Sequence, residues 1–193
     1  MNRIISLSLV VFTLLSCSDN NESEPISLEI GQFHEGGMIF YLDDSGQHGL
    51  VAAQNDQATH VPWSCQGTFY NVTAAEIGFG SQNTLDIITN LEFDNSCSPE
   101  IYAAKVCQDL ILENYSDWFL PSFEELNLMQ ENRLSIGNFE NWFYWSSSEL
   151  DPMTESDQNW ARVRFFGPDN SDLSDFNNAG KGGLNHVRAI RAF

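Results

Sequence analysis

Strand-like patterning at both ends of the chain encloses a helical middle. This order constrains the fold more than any other feature. Residues 36–42, Gly-Gly-Met-Ile-Phe-Tyr-Leu, read as a strand. The turn-forming run Asp43-Asp44-Ser45-Gly46 follows, and 49–53 is the return strand of a hairpin. Residues 54–80, rich in Gly, Asn, Thr and Gln, read mostly as loop. Leu85, Ile88 and Leu91 stand at helical spacing within 83–91. Ser98-Pro99-Glu100 has the chemistry of a helix start, and Ala103, Ala104, Cys107, Leu110 and Ile111 then share one helical face. Ser122 and Glu125 form a capping-box pattern for a helix running to about Arg133, with Leu126 and Met129 on its buried side. Strand patterning returns at 143–148, at 160–166 and at 187–193, with a polar loop over 167–183. In the second of these, Ala161, Val163 and Phe165 alternate with Arg162 and Arg164. No internal repeat is present. The order implies an α+β fold with two to three helices and long loops.

The N-terminus reads as an address. Arg3 precedes the apolar run Ile4–Leu15, which is too short to span a bilayer. Leu14-Leu15-Ser16-Cys17 resembles the lipobox of bacterial lipoproteins, so 1–16 is expected to be a signal peptide and Cys17 the acylated mature N-terminus. Residues 18–25 are polar and acidic, and 17–29 reads as a flexible tether. An acidic stretch after the lipid cysteine is similar to the surface-export signal of Bacteroidota lipoproteins. Outer-membrane anchoring with display outside the cell is the expectation, a periplasmic linker the alternative. The folded domain is expected at 30–193, touching the membrane through its lipid alone.

Charge and cysteines narrow the partners. The chain carries 27 Asp+Glu against 8 Lys+Arg, a net charge of -19. Loss of Arg3 makes it -20 on the mature chain. Such a domain repels nucleic acid and other polyanions and suits neutral ligands, proteins or cations. Cys65, Cys97 and Cys107 remain after lipidation. An oxidising compartment favours one disulfide and one free thiol. Two loop cysteines meet disulfide geometry more readily than one fixed on a helix, which favours Cys65–Cys97, with Cys97–Cys107 as the other candidate. No Cys-x-x-Cys or His-rich spacing points to zinc.

Several motifs recur in order: Gly36-Gly37-Met38-Ile39-Phe40-Tyr41, Asn83-Thr84, Ala103-Ala104, Asp117-Trp118-Phe119-Leu120-Pro121-Ser122, Glu125-Leu126, Tyr144-Trp145-Ser146-Ser147-Ser148-Glu149 and Val187-Arg188-Ala189-Ile190-Arg191. Together they resemble the domain family named after the C-terminal domain of the Legionella collagen-like adhesin. The resemblance covers roughly 30–193. It implies a C-type-lectin-like fold with the N- and C-terminal strands paired, and a non-enzymatic, adhesin-like protein that binds a glycan or a surface protein. Relatives of that fold that generate formylglycine use a cysteine pair near the C-terminus, and this chain has no cysteine after Cys107.

Candidate site residues follow from composition and placement. Trp118, Trp145 and Trp160 sit in apolar or alternating segments and read as core. Trp63, in the loop His60-Val61-Pro62-Trp63-Ser64-Cys65, is the candidate for stacking on a ligand. Glu124, Glu125 and Glu149 supply the paired carboxylates that a glycan- or peptide-acting hydrolase would need. Capping and the helix dipole already account for Glu124 and Glu125. Asp169, Asn170, Asp172 and Asp175 give the 169–178 loop several oxygen ligands, so it is a candidate ligand contact, with calcium the one cofactor to consider. The calcium-lectin motifs Glu-Pro-Asn and Trp-Asn-Asp are absent, and a solvated loop explains those residues equally well. Five of the seven mature basic residues follow residue 160, and internal pairing with the many acids is expected for them. A purely structural envelope component is the remaining alternative.

Overall fold

The structure, a computed structural model, describes residues 27–97, 99–151, 158–168, 173 and 175–193. Residues 1–26, and with them the expected signal peptide, Cys17 and most of the expected tether, lie outside the described residues. Leu28 already packs against the core, just ahead of the expected domain start.

The architecture is α+β, with two sheets and four helices among the described residues. The first sheet holds β1 (Phe33–His34), β2 (Gly37–Leu42), β3 (Gly49–Ala52) and β9 (Ile190–Ala192) in the order β1-β2-β3-β9. The expected hairpin is β2–β3, with Leu42 opposite Gly49 and Met38 opposite Ala52. Glycine is needed at position 49, where a Cβ would overlap the Tyr41 carbonyl oxygen. The C-terminal strand does join the N-terminal sheet, but it pairs with β3 rather than with the first strand; β1 and β9 are the two edges.

The second sheet has the order β4-β8-β5-β6-β7. Its strands are β4 (Ala58–Val61), β8 (Asn185–Val187), β5 (Phe143–Glu149), β6 (Trp160–Phe165) and β7 (Asn178–Gly180). On β6, Ala161, Val163 and Phe165 are buried and the two arginines half-buried, as the alternation predicts. The segment read as one terminal strand is two. β8 belongs to the second sheet and β9 to the first, and the chain crosses between them at Arg188-Ala189.

Helix α1 spans Gly80–Phe93, longer than expected, and buries Asn83, Thr84, Ile87 and Leu91. Leu85 is exposed. The apolar spacing misplaced this face because two polar residues on it are satisfied internally. Thr84 Oγ1 donates to the Gly80 carbonyl at 2.7 Å, and Asn83 Nδ2 donates to the Ala74 carbonyl at 2.7 Å. Helix α2 is only Ala103–Gln108. Pro99 and Glu100 precede it rather than start it, and Ser98 lies outside the described residues. The Ala103 N–H donates to the Pro62 carbonyl at 3.0 Å, so a tertiary bond replaces the expected cap, and Ile111 is exposed. Helix α3 (Phe123–Glu131) has its capping box: the Glu125 N–H donates to Ser122 Oγ, and Glu125 Oε2 accepts from the Ser122 N–H at 2.7 Å. The short α4 (Arg133–Ile136) follows and ends at Gly137, which adopts φ +80°.

Cys65 and Cys97 form a disulfide, and Cys107 is a buried thiol. The bond ties the loop after β4 to the segment after α1. In the chain-entropy description, closing 32 residues of chain stabilises the fold by about 3–4 kcal/mol.

Glu149 and Lys181 are fully buried and form an ion pair. Glu149 also accepts from the Tyr70 N–H at 3.0 Å and the Val72 N–H at 2.9 Å, while Lys181 also donates to the Thr68 carbonyl. The ammonium lies 5.1 Å from both the Trp63 and Tyr70 ring centres. Desolvation pushes the Lys181 ammonium below its ordinary pKa, and Glu149 opposes that shift. Lys181→Met would strand the Glu149 carboxylate in the core and is expected to cost about 3–5 kcal/mol in urea denaturation. Lys105→Met, which removes a solvent-exposed partner of Asp109, should leave the transition almost unmoved. Similar effects for both variants would show that burial does not govern the pair.

Candidate functional site

The residues singled out from sequence do not form one site. Trp63 is fully buried, and its Nε1 donates to the Ser146 carbonyl at 2.8 Å. It is a core residue, not a ligand contact: the loop around it folds inward against Lys181 and Tyr70. Trp118 and Trp145 are core, as expected, but Trp160 is 41% exposed. Asp169, Asn170 and Asp172 lie outside the described residues, and Asp175 is exposed. Among the described residues, no group of three His, Cys, Asp or Glu side chains could hold a metal ion. Glu125 and Glu149 are buried, with their oxygens occupied by backbone N–H groups and Lys181, so neither presents a carboxylate to a substrate. Glu124 is exposed on the first turn of α3.

Of the basic residues expected to pair internally, Lys181, Arg188 and Arg191 do so. Arg191 donates Nε to Asp117 Oδ1 at 2.8 Å and Nη1 to Glu35 Oε2 at 2.9 Å. Arg188 is 1% exposed and donates Nε to Asp56 Oδ1 at 2.8 Å. Its remaining N–H groups reach the carbonyls of Ala53 at 3.0 Å and Asn138 at 2.7 Å, and its guanidinium lies 4.0 Å from the Phe139 ring centre.

Asp56 is the hub of a larger arrangement. β4 pairs antiparallel with β8 through Ala58 opposite Val187, which brings the residues before β4 beside those after β8. β5 runs parallel to β8 with Tyr144 opposite His186. Three chain segments far apart in sequence therefore converge. Asp56 Oδ2 accepts from the Tyr144 hydroxyl at 2.8 Å and meets His186 Nδ1 at 3.0 Å. The Glu140 N–H donates to the Tyr144 oxygen at 2.9 Å, extending the chain of bonds by one residue. Burial pushes the Tyr144 phenol above its ordinary pKa, so it stays protonated and donates to Asp56.

This network underlies an open cleft of about 390 Å³, lined by Thr59, His60, Glu140, Asn141, Trp142 and His186. Trp142 leaves 47% of its surface in solvent. The His60 and His186 ring centres are 5.8 Å apart. His60 adopts φ +86°, a left-handed conformation that a side chain larger than glycine enters only under strain, and such strain concentrates at functional positions. Asn141 also lines a second cavity of about 320 Å³, formed with Phe139, Phe166, Pro168 and neighbours. A half-exposed indole beside an amide, a carboxylate and two imidazoles can stack on an apolar ring face and exchange hydrogen bonds with hydroxyl groups.

A scan against protein-family models finds no match, and no curated protein matches the chain. The cleft is therefore read from its own chemistry. Local sequence carries little of it. Asp56 and His186 are 130 positions apart, and β8 is three residues long. The one available signal was Trp142, an aromatic after the polar residues Glu140-Asn141 and outside any alternating run.

Tyr144→Phe removes the donor to Asp56 and the acceptor of the Glu140 N–H. The expected loss is about 1–2 kcal/mol in chemical denaturation. Asp56→Ala, which leaves Arg188 buried without its counter-charge, should cost clearly more. The reverse order would show that Asp56 is not the hub.

Proposed function

We propose that this chain is a lipid-anchored envelope protein whose domain binds an extracellular glycan through the cleft over His186. The observation that carries the reading is Trp142, half-exposed on a cleft otherwise lined by hydrogen-bonding side chains. Sugar rings present an apolar face and a rim of hydroxyls, and this lining offers a partner to each. The fold we propose is C-type-lectin-like, within the family whose motifs the sequence resembles. Supporting features are the two sheets, the helices set between their strands in sequence, and the return of the C-terminal strand to the N-terminal sheet. The aromatic contact belongs to Trp142 rather than to Trp63.

The net charge of -19 directs the ligand class toward neutral sugars. Three of the basic residues, Lys181, Arg188 and Arg191, are buried in internal ion pairs, so they offer no face to a sulfated chain.

On a glycan array, the purified protein is expected to retain neutral oligosaccharides better than sulfated ones. Trp142→Ala should weaken the best ligand by about tenfold, roughly 1.4 kcal/mol, with an unchanged unfolding temperature. Binding that survives this change, or preference for sulfated glycans, would overturn the reading. The anchor has its own test. Labelled palmitate fed to cells is expected to mark the protein, and Cys17→Ala should abolish the label and release the chain from membranes. A labelled or membrane-bound Cys17→Ala protein would refute acylation at Cys17.

A further inference from the structure

We propose that Nε2 of His186 is the atom by which the cleft selects its sugar. It accepts a hydrogen bond from one ring hydroxyl, and sugars that lack this hydroxyl are rejected. The inference rests on the glycan reading and adds to it a specificity-determining residue.

Asp56 fixes the imidazole. Its carboxylate takes hydrogen bonds from Arg188 Nε and from the Tyr144 hydroxyl, and it can only accept. Nδ1 of His186, 3.0 Å from Asp56 Oδ2, therefore carries the proton. Arg188 already balances the charge of Asp56, so the cluster is neutral with an uncharged ring. Such a ring keeps a lone pair on Nε2. His186 is 5% exposed, and Nε2 makes no hydrogen bond with any described residue. The atom is not sealed in the core, because the ring lines the floor of the open cleft. A largely desolvated acceptor of this kind gains most from a ligand that brings a donor.

The neighbouring strands hold this acceptor and leave it uncovered. β8 is paired on both sides, by β4 and by β5. Ala58 stands opposite Val187 and Val61 opposite Asn185, so Thr59 and His60 together face the single residue His186. Two residues against one interrupt the ladder at this point, a device that re-aims side chains beside functional sites. The φ of +86° at His60 falls within the interruption. The rest of the lining defines the partner. Trp142 offers an apolar face to a sugar ring. Glu140, like Nε2 of His186, can only accept, so both call for hydroxyl donors, and the carboxylate opposes an anionic ligand. Removing the hydroxyl that meets His186 leaves a buried acceptor unpaired, which costs more than removing a hydroxyl that faces water.

The test uses the full wild-type chain, with the methyl glycosides of glucose, galactose, mannose and N-acetylglucosamine as probes. Binding is followed by calorimetry and by long-range nitrogen NMR of the histidines. At least one probe is expected to bind and to shift Nε2 of His186 more than Nδ1, leaving His34 and His48 unmoved. Among the monodeoxy derivatives of the tightest probe, one should bind at least about tenfold more weakly and no longer shift Nε2, the others losing less. A probe that binds with Nε2 unmoved, or monodeoxy derivatives that all bind alike, would overturn the proposal. If Trp142→Ala weakened that same binding, the glycan reading would stand without it. No binding by any probe up to about 10 mM would overturn both.

Discussion

A guanidinium that is 1% exposed must keep its counter-charge, and Arg188 lies where the chain leaves one sheet for the other. Asp56 answers it from the β3–β4 connection, just before β4. The pair therefore has a topological consequence beyond its energy. It clamps the β8–β9 crossover against the β3–β4 connection, whose backbone also bonds across: the Ala53 N–H donates to the Ala189 carbonyl at 3.0 Å and the Gln57 N–H to the Val187 carbonyl at 2.9 Å. With the crossover clamped, β9 completes the first sheet and β8 the second. Replacing the pair by apolar groups could keep stability, because desolvation offsets much of the Coulomb gain. It could not reproduce the orientation imposed on Tyr144 and His186, which depends on an acceptor at Asp56.

The unequal charge composition acquires a structural meaning from this arrangement. A chain with so few cations places Lys181, Arg188 and Arg191 in internal ion pairs, each at a junction: Lys181 beneath the 63–72 loop, Arg188 at the crossover, and Arg191 between Asp117 and Glu35. For Asp117 the Arg191 guanidinium lowers the carboxyl pKa, with burial acting the other way. The stability it contributes is present above the ordinary carboxylate value and lost as pH falls through the lower folded value. Apart from Glu125, which is buried in its capping box, most of the remaining acids among the described residues face solvent.

Where one short stretch determined the outcome, the sequence was readable. The β2–β3 hairpin, the Ser122–Glu125 capping box and the β6 alternation each depend on neighbours within a few residues, and each is present. The Cys65–Cys97 pairing was legible because both cysteines lie in loops. Errors arose where tertiary partners took over. Thr84 and Asn83 entered the core because distant carbonyls and N–H groups met them, which rotated the buried face of α1 away from Leu85. The terminal strand read as continuous because its apolar pattern continues through the Arg188-Ala189 crossover. Trp63 looked exposed because its loop is polar, yet Lys181, Ser146 and Tyr70 supply partners for it inside. The cleft was invisible for the same reason: its parts come from the β3–β4 connection, β4, the 140–142 segment, β5 and β8.

That dispersal gives the cleft its rigidity. His186 is held on a strand paired on both sides, by β4 and by β5, and its ring is oriented by a carboxylate with two further donors of its own. Tyr144 transmits the same order to Glu140. Trp142 sits two residues on, where the Phe166 N–H donates to its carbonyl at 3.0 Å, so β5 and β6 hold the aromatic rim in register with the polar floor. A floor on paired strands and a rim one or two residues outside them reduce the ordering entropy that a ligand would otherwise have to supply. Recognition built this way needs no closing lid, and the buried Arg188–Asp56 pair serves both purposes: it joins the two sheets and sets the geometry of the cleft above them.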